Sequence, residues 1–492
     1  MNLARYCLTN AAVDHSATAL EVVGAGGVQL EIWSYGDLED MVLRIAAGLG
    51  ALGLKRFDRV LLRLGHSSDF PLFYFGAIAG GYIPVPTSDL LTASEAGAIL
   101  QDSGATAVVH DGQTVLPEGA GLLIGPDDIA RLKAGAAGSY ADTQADDPAF
   151  LIYTSGTSGT PKGVLHAQRA ASGRAPMYQG WYGIRSSDRL LHAGAFNWTY
   201  TLGVGLMDPW ANGATSIVYD GPRDPDVWPE LIEQCDATLF AAVPSLYRRI
   251  LKYGDVSPTS FPALRHGLTA GEALPADLHQ SWTERTGRPL YEALGMSEIS
   301  TYLSSGPDVP TRPGSSGKPQ VGRRIAILSE SDDDEAFAPV GEPGLLAIHE
   351  GEPGLMIGYW NRPEETEAVF RAGWFLTGDR ARQDKDGYYW YEGRCDDLMN
   401  AFGYRVAPEE VERCLAAHTE VSEVAVTAVE MRPGVRLITA FVVPVDPAFG
   451  DETALADWAV VHLADYKRPK AYRFVDQLPR TASGKIMRKA LL

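Results

Sequence analysis

The residues best suited to chemistry are Tyr153-Thr154-Ser155-Gly156-Thr157-Ser158-Gly159-Thr160-Pro161-Lys162-Gly163. Glycines let backbone approach a ligand closely, and the hydroxyls of Thr154, Ser155, Thr157, Ser158 and Thr160 face the same turn. Lys162 adds a positive charge. A backbone nest, hydroxyl donors and a lysine together describe a cradle for a polyphosphate. The pattern is not the common NTPase loop, G-x-x-x-x-G-K-[ST], because Gly163 follows Lys162. A flexible Ser/Thr/Gly linker shares the composition, but this stretch lies between two apolar runs, Ala149–Ile152 and Val164-Leu165-His166.

Four further segments carry candidate chemistry. In Tyr291-Glu292-Ala293-Leu294-Gly295-Met296-Ser297-Glu298, the carboxylate of Glu298 suits a hard cation such as Mg²⁺, or simply a helix N-terminus. Asp379, in Trp374–Asp379, is an ionised acceptor suited to a diol, or a turn aspartate. Glu392–Glu412 and Pro479–Lys489 complete the set.

In this order, the segments resemble the signatures of the adenylate-forming superfamily: acyl-CoA and aryl-CoA synthetases, adenylation domains and beetle luciferases. Ser297 stands where that superfamily usually has threonine, which keeps the hydroxyl. The resemblance implies that residues 154–160 and Lys162, Gly271-Glu272-Ala273 and Glu292–Ser297 bind ATP or AMP. It implies that Glu298 helps hold Mg²⁺ and that Asp379 and Arg394 contact the ribose. It makes Asp396 a hinge pivot, with Gly403 and Tyr404 beside the pantetheine arm of CoA, and it gives Arg405 to phosphate. Lys485 would bridge the carboxylate and the α-phosphate. Asn400 stands where many relatives have lysine, and it takes no role.

The implied reaction joins a carboxylic acid, ATP and CoA into acyl-CoA, AMP and pyrophosphate through an acyl-adenylate. The chain stops soon after Lys485, so free CoA is the expected acceptor, with a separate carrier protein as the alternative. A non-catalytic nucleotide-binding protein would predict loss of Lys485, Glu298 or Asp379, and all three are present. The acid pocket is expected among Phe196, Trp198, Thr199, Tyr200, Gly295 and Thr301. Ala195–Gly205 and Thr269–Pro275 look most like benzoate-CoA ligases. Gly295 replaces a tryptophan of acetyl-CoA synthetases, so an acid larger than acetate, aromatic or of short to medium chain, is expected. Trp198 and Tyr200 could flank a flat ring or serve as core aromatics.

These groups need elements to position them. Leu38, Met41, Val42, Ile45, Leu49 and Leu52 recur at helical spacing behind Gly36-Asp37, which can cap the helix. The runs 60–64, 82–85 and 107–109 read as strands separated by helices over 70–81 and 96–102. That alternation is the rhythm of a parallel sheet with crossover helices. Residues 167–178 are also expected to be helical.

At 492 residues the chain needs more than one domain. The expected α/β fold has a large N-terminal domain of stacked αβ subdomains over 1–393, with mixed or parallel sheets and a β-barrel-like part. A hinge at 394–397 and a small mobile α+β domain over 398–492 follow. A net charge of −20 disfavours nucleic acid and anionic membranes as partners. Cys7, Cys235, Cys395 and Cys414 form no C-x-x-C pair, and no leader or spanning run is visible. A cytoplasmic location is therefore expected, with oligomeric state open and a homodimer one option.

Overall fold

Ser34, not Gly36-Asp37, caps helix Tyr35–Ala51: its side chain accepts the N–H of Asp37. Leu38, Val42, Ile45 and Leu49 then form the buried stripe, while Leu52 lies past the helix end, 38% exposed. That stripe packs in one core with helix Asp69–Ala79, which is apolar on all sides. The computed structural model describes every residue except 10–13, 155–161, 223, 331–336, 396–398, 402–403, 407, 433–434, 464 and 481–485. The side chains of 400, 401, 404, 405, 432, 435, 436, 466 and 489 are also outside the description.

The described residues form two units, Met1–Arg324 with His349–Gly373, and Ile325–Ile348 with Trp374–Leu492. In the first, the expected helix–strand rhythm builds a four-stranded, all-parallel sheet ordered Ile83–Pro86, Arg59–Arg63, Ala107–His110, Leu122–Ile124. A nine-stranded sheet supplies most of the site. Its middle is parallel: Leu290–Met296, His266–Ala270, Leu239–Ala242, Arg189–His192, Thr215–Tyr219 and Thr18–Val23. Antiparallel strands close both ends, Ser300–Ser304 then Lys318–Pro319 on one side and Gln29–Ser34 on the other. A smaller antiparallel sheet joins Pro148–Thr154, Lys162–Ala167 and Gly358–Tyr359.

The expected helix over 167–178 is instead a series of short turns: 3₁₀ at Gln168–Ala170 and Ser172–Arg174, α at Ala175–Met177, π at Tyr178–Tyr182. Pro176 removes a backbone donor, and Gly173 packs directly on the backbone of Gly354. Both break the regular ladder.

The second unit contains neighbouring strands Ile325–Leu328, Pro343–His349 (all but its last residue), Trp374–Gln383 and Tyr389–Arg394. Its C-terminal part packs helices Pro408–Ala416 and Glu452–His462 with a sheet of Val421–Arg432, Val435–Pro444 and Ala471–Phe474. This unit takes in 325–348 and 374–393 as well as the expected tail.

Candidate active site

Thr154 ends strand Pro148–Thr154 and pairs with Lys162, which begins the next strand. Ser155, Gly156, Thr157, Ser158, Gly159 and Thr160, expected to cradle phosphate, lie outside the described residues. Lys162 forms an ion pair with Glu365, and its ammonium lies 5.3 Å from the ring centroid of Tyr359. The hydrogen bond from Lys162 holds the Glu365 carboxyl below its ordinary range. The Tyr359 hydroxyl donates to Glu298 Oε1 at 2.9 Å. The expected phosphate lysine and the expected Mg²⁺ carboxylate thus meet on one tyrosine, the lysine over its ring and the carboxylate at its hydroxyl.

Glu298 sits in the turn Ser297-Glu298-Ile299 that joins strands Leu290–Met296 and Ser300–Ser304. Two distant groups fix its backbone. The N–H of Met356 donates to the Glu298 carbonyl at 2.7 Å. His166 Nε2 lies 2.8 Å from the Ser297 carbonyl, which can only accept, so this nitrogen carries the proton. His166 stacks on Phe150 with centroids 4.5 Å apart. Burial pushes its pKa down to about 4, so the ring is neutral at neutral pH.

The rest of the segment is tightly built. Any side chain on Gly295 would run into the Ser300–Thr301 backbone across the hairpin, which is a steric reason for glycine there. Ala293 is buried, Leu294 and Met296 half-buried. Glu292 is 8% exposed, and its Oε1 accepts the Leu274 N–H at 3.1 Å. Burial raises its pKa to about 8, a shift that the Leu274 N–H partly opposes. Gly271 has φ of +91°, and a side chain there would strike the Trp198 ring. Glu272 accepts from the Ser245 N–H and hydroxyl, both at 3.3 Å, and Ala273 follows in the same loop.

Trp198 and Tyr200 meet edge to face at 5.5 Å and belong to one cluster with Leu268, Ala270 and Ala293. The half-buried Thr199 starts helix Thr199–Leu202 between them. Phe196 instead stacks on His66 and Phe70, in the core shared with helix Tyr35–Ala51. Thr301 is buried; its hydroxyl donates to Met177 Sδ and accepts from Gln320.

In the second unit Asp379 and Arg394 face each other on paired strands, with Arg394 Nη1 3.2 Å from Asp379 Oδ1. Arg394 Nη1 also donates to the Thr377 carbonyl at 2.8 Å. Asp396, Gly403 and Lys485 lie outside the described residues, as do the side chains of Asn400, Tyr404 and Arg405. Sequence reading missed Tyr359, Glu365 and the buried His166. Tyr359 reaches Glu298 across 61 positions of chain, a contact with no periodic signature. His166 did stand next to the glycine-hydroxyl segment, which was the available signal.

The family profile "AMP-binding enzyme" matches residues 9–360, and "AMP-binding enzyme C-terminal domain" matches 410–485. The chain is 33% identical to 3-hydroxybenzoate–CoA ligase of Aromatoleum sp. (strain CIB), covering 92% of this chain and 90% of that protein. It is 34% identical to benzoate–CoA ligase of Thauera aromatica, covering 95% and 93%. A solved benzoate CoA ligase from Burkholderia xenovorans LB400 superposes with a TM-score of 0.88 at 31% identity, over 100% of this chain and 99% of that one. The motifs, the fold and these likenesses agree: the chain belongs to the AMP-binding enzyme family, on the acyl-CoA synthetase branch of the adenylate-forming superfamily.

Proposed function

We propose that the protein is an ATP-dependent, AMP-forming acid–CoA ligase whose acid is aromatic. The observation that carries this reading is the convergence of Lys162 and Glu298 on Tyr359, beside the glycine-hydroxyl segment. Likeness along nearly the whole chain to proteins named for benzoate and 3-hydroxybenzoate supports it.

In the first half-reaction a carboxylate oxygen attacks the α-phosphorus of ATP. The bond to pyrophosphate breaks and the acyl-adenylate forms. Such a displacement needs alignment and charge neutralisation rather than a protein nucleophile. Lys162 and the donors of 154–160 would hold the phosphates, Lys485 would bridge carboxylate and α-phosphate, and Asp379 with Arg394 would take the ribose. Gly271–Ala273 and Glu292–Ser297 would complete the nucleotide site, with Trp198, Thr199, Tyr200, Gly295 and Thr301 about the acid.

Among the described residues no group of three or more His, Cys, Asp or Glu is placed to hold a metal. A single carboxylate, Glu298, does fit Mg²⁺, which takes one or two carboxylates and completes its shell with phosphates and water. When bound, the ion would supply charge neutralisation at the phosphates.

In the second half-reaction the CoA sulfur attacks the acyl carbon and AMP leaves. Asp396 would be the pivot that withdraws Lys485, with Gly403, Tyr404 and Arg405 serving CoA. The test is pyrophosphate release with benzoate, hydroxybenzoates, cinnamates and straight-chain acids, with and without CoA. Release that depends on an aromatic acid and needs no CoA is expected; release with none of them overturns the reading. Lys485→Ala should abolish adenylation yet spare thioester formation from supplied acyl-AMP. Equal loss of both half-reactions would refute the role of Lys485.

A further inference from the structure

A charged pair lies buried behind the hairpin that carries Ser297 and Glu298. Arg174 Nε and Nη2 each donate at 2.7 Å to Asp208, and the Tyr182 hydroxyl donates to the same carboxylate at 2.6 Å. The Arg174 side chain is 7% exposed and that of Asp208 0%. Two π-helical turns deliver these partners: Tyr182 ends Tyr178–Tyr182, and Asp208 follows Gly203–Met207. Such turns are rare and concentrate at functional sites. Gly203 lies against the guanidinium, where any side chain would collide with it. A buried ion pair generally gains little stability over apolar residues of the same volume, so stability alone is a weak account of this arrangement.

The guanidinium has a third contact. Arg174 Nη1 donates to Ser300 Oγ at 2.5 Å. Ser300 has φ of +93°, a left-handed backbone that L side chains rarely adopt. It begins the strand whose next residue, Thr301, sits opposite Gly295. A second buried arginine, Arg323, donates to the Thr301 carbonyl at 3.1 Å and pairs with Glu352. Backbone held in a sparsely populated region persists only where surrounding structure determines it, and such positions cluster at functional sites.

We propose that Arg174, oriented by Asp208 and Tyr182, is a positioning residue: it holds Ser300 in its left-handed conformation and so sets the wall of the acid pocket between Gly295 and Thr301. The inference rests on the acid-ligase reading for what that pocket binds. The acid, more than ATP, should sense the device, because Thr301, the residue after Ser300, is placed about the acid alone, whereas Gly295 and Met296 across the hairpin also serve the nucleotide.

The test is a double-mutant cycle on the full chain with Ser300→Ala, Ser300→Gly and Arg174→Lys. Ser300→Ala keeps the strain and loses the hydroxyl. It should raise KM for the acid by about tenfold, with KM for ATP within about twofold. Ser300→Gly should restore KM for the acid towards the wild-type value, because glycine adopts this φ freely. Adding Arg174→Lys to Ser300→Ala should add much less than its separate effect, because both remove one interaction. Effects that multiply, or a KM for the acid untouched by Ser300→Ala, overturn the proposal. The same cycle in urea-unfolding midpoints needs no substrate and should show the same coupling between Arg174 and Ser300. Additive midpoints overturn the proposal even if no acid is turned over, which separates its failure from failure of the ligase reading.

Discussion

Glu292→Gln tests whether a buried carboxyl on strand Leu290–Met296 keeps its proton at neutral pH. Glu292 is 8% exposed, and burial raises its pKa from an ordinary 4.5 to about 8. Between those values the folded protein holds a proton that the unfolded chain releases. The stability that Glu292 contributes must therefore fall as pH rises from 4.5 to about 8, and level off above. At roughly 1.4 kcal/mol per pH unit, this one group removes on the order of 5 kcal/mol across the window, as an upper bound before relaxation. Glutamine is close in shape, does not titrate, and can still accept the Leu274 N–H. Urea unfolding of both proteins, followed by tryptophan fluorescence, reads the difference. Trp181, Trp210, Trp228 and Trp282 are all fully buried in the larger unit and report its transition. Near pH 5 the two proteins should agree within about 1 kcal/mol. By pH 8 the glutamine variant should be the more stable by several kcal/mol, on the order of the linkage estimate. Parallel stability curves across that range would refute a protonated Glu292.

Three further outcomes follow from the site. Burial lowers the pKa of His266 to about 4, so the unfolded chain takes up its proton first as pH falls. The stability that His266 contributes should drop as pH falls from about 6.5 to 4, and His266→Gln should remove that share of the pH dependence in the same urea series, leaving the share of His166. Gly271→Ala places a side chain at φ of +91° against Trp198; it should cost about 1–3 kcal/mol in unfolding free energy and raise KM for the acid. Unchanged stability in that variant would contradict the steric account. Glu365→Gln breaks a half-exposed pair, so stability should move by less than about 1 kcal/mol, while freeing Lys162 lowers KM for ATP; a raised KM would count against Lys162 as a phosphate ligand.

Much of this architecture could be read from residue order. The alternation of apolar strands and helices before residue 110 gave the all-parallel sheet, because each crossover leaves a local pattern. The stretch 167–178 misled because its composition is helical while its geometry answers to Gly354, far along the chain. Lys162 and Glu298 were legible as motif residues. The tyrosine joining them was not, and neither was Arg174, whose partners Tyr182, Asp208 and Ser300 lie on separate segments. Trp198 and Tyr200 kept two readings from sequence, and they do pack together over Gly271 and Ala270. Side-chain convergence across separate elements follows no period, so only the folded chain reveals it.

The braces on the Ser297–Glu298 turn come from His166 on one side of the sequence and from Met356 and Tyr359 on the other. During synthesis the ribosome must therefore release the segment through Tyr359 before the turn can acquire all its supports. A nascent chain truncated before Met356 would own every strand of the parallel layer and still lack a finished centre.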